Sequence, residues 1–337
     1  MLSHFFKNRV FAGTAIGLFI TIMLLPLMIF QVFDSLPLHF SDSLYTLNEP
    51  SKDIVIVAVD DKSTQPPPVG FGLFQQWNRE RFVEVMDVLQ KENAKAIAID
   101  FTFRSTSQSV PKEKFYELED AIIDLSNKEK LQKFEDFLEN FKSSLRDPID
   151  NLLAEKFQQV DNLILAASIS GDSQTLLKPL LQFSVNAKLG LINAELDSKG
   201  ILRQATPYFD IAEENKTYPD LAVAAVEEYL GKENLELPLE DEKLNVNFFG
   251  DPYSYKMISF VDVVNGQFPP ELFKNKIVLI GSTSSKVIHD EYYTPRSNTA
   301  PMPGIEFRAN EIQTILDGKF LANQSMLARV LTVAGIS

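Results

Sequence analysis

Apolar and polar positions alternate along this chain in two rhythms. Short, nearly continuous apolar runs occur at Asp53–Asp60 ("DIVIVAVD"), Ala94–Asp100 ("AKAIAID"), Asn162–Ile169 ("NLILAASI"), Lys188–Leu196 ("KLGLINAEL") and Lys276–Gly281 ("KIVLIG"). Continuous hydrophobicity at that length is the pattern of strands covered on both faces. Between them, helical periodicity predicts helices over Arg79–Lys91, Tyr218–Leu230 and Gly304–Asp317. Strands alternating with helices predict an α/β fold with a mostly parallel central sheet.

Two segments depart from that rhythm. In "GLINAELDSKGILRQATPYF" two strand-like runs flank Asp197–Gly200, an Asp-x-x-Gly loop suited to a type I turn followed by a left-handed glycine. One antiparallel hairpin is therefore expected in or beside the sheet. From Lys112 to Val160 the apolar spacing becomes heptad-like: Phe115, Leu118, Ile122 and Leu125, then Leu131, Phe134, Leu138, Phe141 and Leu145. Asp147-Pro148 then reads as a helix start running to Val160. The stripe suits either a helical hairpin packed on the domain or a dimerisation arm.

The two ends are apolar. Val10–Phe33 holds 24 residues without a charge, against the roughly 20 that a membrane helix needs. It is longer than a signal-peptide core and no Ala-x-Ala follows, so it reads as an uncleaved anchor. Lys7 and Arg9 precede it, and Asp34, Asp42 and Glu49 follow before the next lysine, which places residues 1–9 in the cytoplasm and the rest outside. Residues 325–337 turn apolar after Arg329 and are too short to cross a bilayer, so they read as the start of a second membrane helix. The expected organisation is a cytoplasmic N-terminus (1–9), a transmembrane helix (10–33), an extracytoplasmic domain (34–324, helical insertion about 112–160) and a second span from 325.

A net charge of −14 argues against nucleic acid, whose phosphates select basic surfaces. With no cysteine and only three histidines, thiol catalysis, disulfides and Cys- or His-rich metal cages are excluded. Candidate chemistry gathers at strand ends, where an open parallel sheet binds its ligands. Asp60 and Asp61 close one strand and Asp100 another, and together they could hold a divalent cation or a polar ligand, or each could cap a turn. After the last strand, "GSTSSKV" lacks the second glycine and the post-lysine hydroxyl of a phosphate-binding P-loop. No Gly-x-Gly-x-x-Gly or Gly-x-Ser-x-Gly occurs, and adjacent His289-Asp290 cannot act as a relay with each other.

The order of motifs resembles the type 2 CHASE domain, an extracellular sensory domain of bacterial cyclases and kinases. The matching residues are Asn247 and Gly250, Ile258-Ser259 with Gly266, Lys276–Gly281 with Thr283, Asp290, Thr294-Pro295, Met302–Glu306, and Gly318 with Phe320-Leu321. Upstream, "IVIVAVDDKS" with Ser63, "AKAIAIDFTF" with Asp100 and Phe103, and Asp197, Gly200 and Arg203 fit the same pattern, so the resemblance covers about Asp53 to Leu321. Where the family usually carries Trp-Pro-Trp-x-Arg, this chain has "FQQWNRERF", with Trp77 and Arg79 or Arg81 as counterparts.

The resemblance implies a non-catalytic sensor in the cell membrane. It would be the N-terminal part of an adenylate- or guanylate-cyclase-type receptor, or of a kinase, that passes a signal through membrane helices to a cytoplasmic output domain. The expected fold class is α/β: a mostly parallel sheet flanked by helices, one antiparallel hairpin, an N-terminal transmembrane helix and a helical insertion. Candidate ligand-binding residues are Asp60, Asp61, Ser63, Asp100, Arg203, Thr283, Asp290 and Thr294. Expected partners are the membrane, an unidentified small ligand or stimulus and, through the heptad stripe, a second copy. No cofactor is expected other than a divalent cation at the aspartates. Two other readings stand beside this one: an extracytoplasmic metal-dependent hydrolase on a Rossmann-like sheet, and an interaction module without a ligand site.

Overall fold

The computed structural model describes residues 13, 16–20, 22–23, 49–106, 148–171, 175–297 and 300–321. In chain order the elements are β1 (Ile54–Val59), α1 (Glu80–Lys91), β2 (Ala96–Ile99), α2 (Pro148–Gln158), β3 (Leu163–Ile169), β4 (Leu176–Leu177), α3 (Leu181–Ser184) and β5 (Lys188–Leu191). Then come β6 (Gln204–Ala205), β7 (Tyr208–Ile211), β8 (Lys216–Pro219), α4 (Leu221–Leu230), β9 (Leu244–Asn245), β10 (Lys256–Ser259) and α5 (Phe260–Val264). The last are β11 (Ile277–Ser282), β12 (Glu291–Tyr292), β13 (Met302–Pro303) and α6 (Gly304–Asp317).

Six strands run parallel in the order β10–β1–β11–β2–β3–β5, and β4 adds an antiparallel pairing at the end of β3. Alternate residues of each strand face opposite cores. Val55, Val57, Val59, Ile97, Ile99, Val278 and Ile280 pack with α1, α2, α3 and α5. Ile54, Ile56, Ala58, Ala96, Ala98, Ile277 and Leu279 pack with α4 and α6. Both faces are covered, which is why the strands read as unbroken apolar runs. Two glycines mark where a helix touches the sheet. A Cβ at Gly190 would lie 2.5 Å from the Leu221 Cα, and one at Gly281 would lie 2.8 Å from the Ile305 side chain.

The central sheet and the three helices stand where periodicity predicts them, with two corrections. Residues 188–191 pair in parallel with β3 rather than folding back across Asp197–Gly200. The turn itself forms: Gly200 has φ 75°, and the Gly200 N–H donates to the Asp197 carbonyl at 2.9 Å. The arm after the turn pairs instead with β9. The Gly190-Leu191 half of this strand is buried against β3 and α4, cover that a half-exposed hairpin would not give it. The antiparallel pairs observed are β3–β4, β6–β9, β7–β8 and β12–β13. Second, the helix expected from Tyr218 starts at Leu221, because Lys216–Pro219 is a strand and Asp220 is the N-cap.

Helix α2, described from Pro148 onward, packs on the sheet through Leu153, Ala154 and Phe157, while the expected N-cap Asp147 lies outside the described residues. Its Asp150 pairs with Arg79 at 2.8 Å, and Trp77 packs edge-on to Phe71 with its indole N–H on the Gly72 carbonyl. The Trp77 and Arg79 motif thus fastens α1 to its neighbours. The heptad stripe, Phe115 to Leu145, lies outside the described residues. So does most of Val10–Phe33, of which residues 13, 16–20 and 22–23 are helical with Leu18, Phe19 and Met23 exposed. Among the described residues no helix is long and apolar enough to cross a membrane.

Candidate functional site

The carboxyl edge of the sheet holds two aspartates with opposite fates. After β1, Asp60 Oδ1 accepts hydrogen bonds from the Ser63 N–H (2.8 Å), the Ser63 hydroxyl (2.7 Å) and the Ser259 hydroxyl (2.7 Å). Ser63 is fully buried, and its hydroxyl also receives the Val261 N–H at 3.3 Å. This polar knot ties the end of β1 to the start of α5. Asp61 is exposed and meets Lys286 at 2.7 Å and the Ser284 hydroxyl, so its carboxyl is held below its usual range chiefly by those two partners.

After β2 the situation reverses. Asp100 is half-buried and receives no side-chain hydrogen bond from the described residues. It faces a cavity of about 290 Å³ bounded by the ends of β2 and β11, the segment after β5 and the start of α6. Asp290, Tyr292, Arg308 and Ser282 border the same cavity, with His289 at its exposed rim. Burial above all, then the charge of Asp290, pushes the Asp100 carboxyl up to about 7, and Arg308 opposes this only in part. Asp290 lies against the first turn of α6. The Gly304 N–H donates to its carbonyl at 2.8 Å, and a Cβ on residue 304 would come within 2.2 Å of its Oδ2. Only glycine fits there. The Tyr292 hydroxyl interacts with the same carboxylate, and burial together with that charge raises its pKa.

Behind the cavity wall sits a buried charge group. Arg308 contacts Asp220 at 2.5 Å and Glu311 at 3.2 Å, and all three side chains are at most 4% exposed. Asp220 also caps α4, accepting the Ala222 N–H at 2.7 Å. Burial raises Asp220 to about 6 and Glu311 well above its ordinary value, although Arg308 draws both down. The Glu311 Oε1 atom is buried and finds no donor. Burial, and then the neighbouring charge of Asp220, favour the protonated form of Glu311.

Helix α6 organises the site, and all of Gly304–Ile315 is buried. Ile305, Ala309 and Ile312 face the sheet, and Arg308 and Glu311 face Asp220. Its remaining polar residues bind passing backbone. Glu306 accepts the N–H groups of Tyr253 (2.6 Å) and Tyr255 (3.2 Å), Asn310 that of Phe249 (2.9 Å), and Thr314 that of Asn247 (3.0 Å). Gln313 accepts the Ser51 N–H at 2.8 Å and donates to the Glu49 carbonyl at 3.2 Å.

Of the eight residues singled out from sequence, Asp100 and Asp290 therefore line one cavity. Asp60 and Ser63 form the knot at β1, and Asp61 sits at the surface. Arg203 completes the 197–200 turn through its 2.9 Å contact with Asp197. Thr283 continues β11, donating its N–H to Val59, and Thr294 is buried in a turn with Ser297. The three aspartates expected to hold a cation do not converge, and among the described residues no group of three His, Cys, Asp or Glu side chains is placed to bind a metal ion. Sequence reading missed Arg308, Asp220 and Glu311. The signal available was charge inside a predicted helix, which periodicity assigns to a solvent face.

Comparison with known proteins gives one family match: the CHASE2 domain model covers residues 15–336. No curated protein and no solved structure matches this chain.

Proposed function

The chain belongs to the CHASE2 domain family, a family of extracellular sensory domains, and on that premise we propose that it is the input part of a membrane receptor. Residues 10–33 and 325–337 are its flanking membrane segments, the α/β domain lies outside the cytoplasm, and the output is a cytoplasmic nucleotide cyclase or kinase. Gln313 carries this reading. One side chain binds the backbone on its way into the domain, at Glu49 and Ser51, and belongs to the last described helix on the way out. Tyr255 adds a 2.6 Å hydrogen bond to the same amide oxygen. The two chain ends that flank the membrane segments are thus coupled through α6, whose first turn borders the Asp100 cavity. A ligand that favours one position of α6 shifts both ends together.

The experiment joins residues 1–337 to a cyclase catalytic domain in a cyclase-deficient bacterium, beside alkaline phosphatase fusions. Phosphatase is expected to be active when fused after Phe320 and inactive when fused at Lys7, before the first apolar segment. Gln313→Ala is expected to change cyclase output at unchanged protein level. Phosphatase inactive at Phe320 would overturn the extracytoplasmic placement, and unchanged output in Gln313→Ala would remove the coupling.

A further inference from the structure

We propose that the cavity beneath Asp100 and Asp290 takes a small organic cation, a primary ammonium compound with a short apolar body, and that this cation is the class of stimulus the domain detects. The proposal rests on the sensor reading above and adds the chemistry of the ligand.

Charge facing the cavity decides the sign. Asp100 has no hydrogen-bond partner among the described residues and borders the cavity. Asp290 is the second acid. Arg308 reaches the same wall, but its guanidinium is engaged by Asp220 and Glu311 and also donates to the Asn193 carbonyl at 3.4 Å. A helix N-terminus ordinarily attracts anions. Here Asp290 already fills that place, pressed against Gly304. The uncompensated charge is negative, and an anionic ligand would meet two carboxylates.

Shape and wall chemistry narrow the class. A divalent metal ion asks for six or more oxygen ligands, and no such group stands among the described residues. Phe101, Ile192, Leu202 and Phe307 supply apolar walls instead. The volume, about 290 Å³, is near the lower end of small-molecule pockets, roughly 300–1,000 Å³. An ammonium group between the two acids with a compact apolar body against those walls satisfies both halves of the cavity.

Binding must displace a proton. Burial above all, and then the charges of Asp290 and Asp220, favour a proton on Asp100, with Arg308 opposing and Tyr292 and His289 completing the ionisable surroundings. An arriving ammonium ion removes the need for that proton. With Asp100 near pH 7, affinity for a permanent cation should rise about tenfold from pH 6 to pH 8.

The test uses the full chain in nanodiscs, titrated calorimetrically with benzylamine, benzyl alcohol, benzoate, and magnesium or calcium chloride at pH 6 and 8. Expected results are binding of benzylamine alone, about tenfold tighter at pH 8, with proton release seen as a dependence on buffer ionisation heat. Asp100→Asn and Asp290→Asn should each abolish it while the far-ultraviolet circular dichroism stays native. If one variant fails to fold, Leu202→Trp, which fills the cavity from the apolar side, must still exclude benzylamine. Preferred binding of benzoate or of metal ions overturns the ligand class and leaves the cavity as the input site. If no probe binds, and Leu202→Trp leaves signalling in the cyclase fusion unaltered, both the ligand class and the cavity's role in sensing fall.

Discussion

Asp60 and Asp100 end adjacent segments of one motif type, an apolar strand followed by an acid, and the protein uses them in opposite ways. Asp60 has three donors on a single oxygen and ties the turn after β1 to the start of α5. Asp100 has none from the described residues and faces a cavity beside a second acid. A half-buried carboxylate without protein donors leaves its hydrogen-bonding capacity to water or to whatever enters the cavity. The contrast separates an aspartate that builds the fold from one whose carboxyl is left facing a cavity, and each of the following changes bears on it.

The largest effect is expected at Arg308, the cation that both regions of the cavity wall depend on. Arg308→Met strands Asp220 and Glu311 in the interior and should cost about 3–5 kcal/mol in urea unfolding. The triple change with Asp220→Asn and Glu311→Gln should recover much of that loss. No recovery would mean the group is held by packing rather than by charge.

Next comes Asp60→Ala, which removes the acceptor for two buried hydroxyls and a backbone N–H and should destabilise by about 2–3 kcal/mol. An effect under about 0.5 kcal/mol would erase the distinction drawn here.

Asp100→Asn should do the reverse, in a pH-dependent manner. Asp100 and Asp220 rise from an ordinary 3.8 to about 7 and about 6, so the folded chain binds protons more tightly than the unfolded chain. Their contribution is therefore greatest at low pH and is lost as pH rises from about 4 to 7. The wild-type protein should lose stability across that window. Asp100→Asn should flatten the slope and be the more stable form at pH 8, checked by urea melts at pH 5 and 8. A variant with the wild-type slope would show that Asp100 is an ordinary carboxylate.

The smallest effect belongs to Lys286→Ala. Its partner Asp61 is exposed, and such a pair is worth at most about 1 kcal/mol, less in high salt. A larger loss would bring Asp61 into the functional region from which its exposure separates it.

Much of this was legible in the chain. The five apolar runs contain strands because most of their residues are buried on one face or the other, and that requirement is written in the order of apolar residues. Helix α6 has the predicted bounds, Gly304 to Asp317, set by a start after Pro303 and a left-handed Gly318. The hairpin prediction failed because a turn signal is local, whereas the partner of Lys188–Leu191 lies in β3, more than twenty residues upstream. Local rules find turns, but pairing is decided by which surfaces can be covered together.

The sequence by itself determined the α/β class, the acids at the strand ends, and the family, since strand periodicity and motif order are properties of neighbouring residues. Only the tertiary structure decided which strand-end acid is tied into a turn and which faces a cavity. Side-chain partners come from distant segments: Ser259 reaches Asp60 from α5's threshold, and Asp220 reaches Arg308 from the cap of α4. It also decided that the polar residues of α6 face inward. A helix reads as amphipathic when only its own periodicity is considered, and whether its polar face meets water or the backbone of other loops depends on what folds over it.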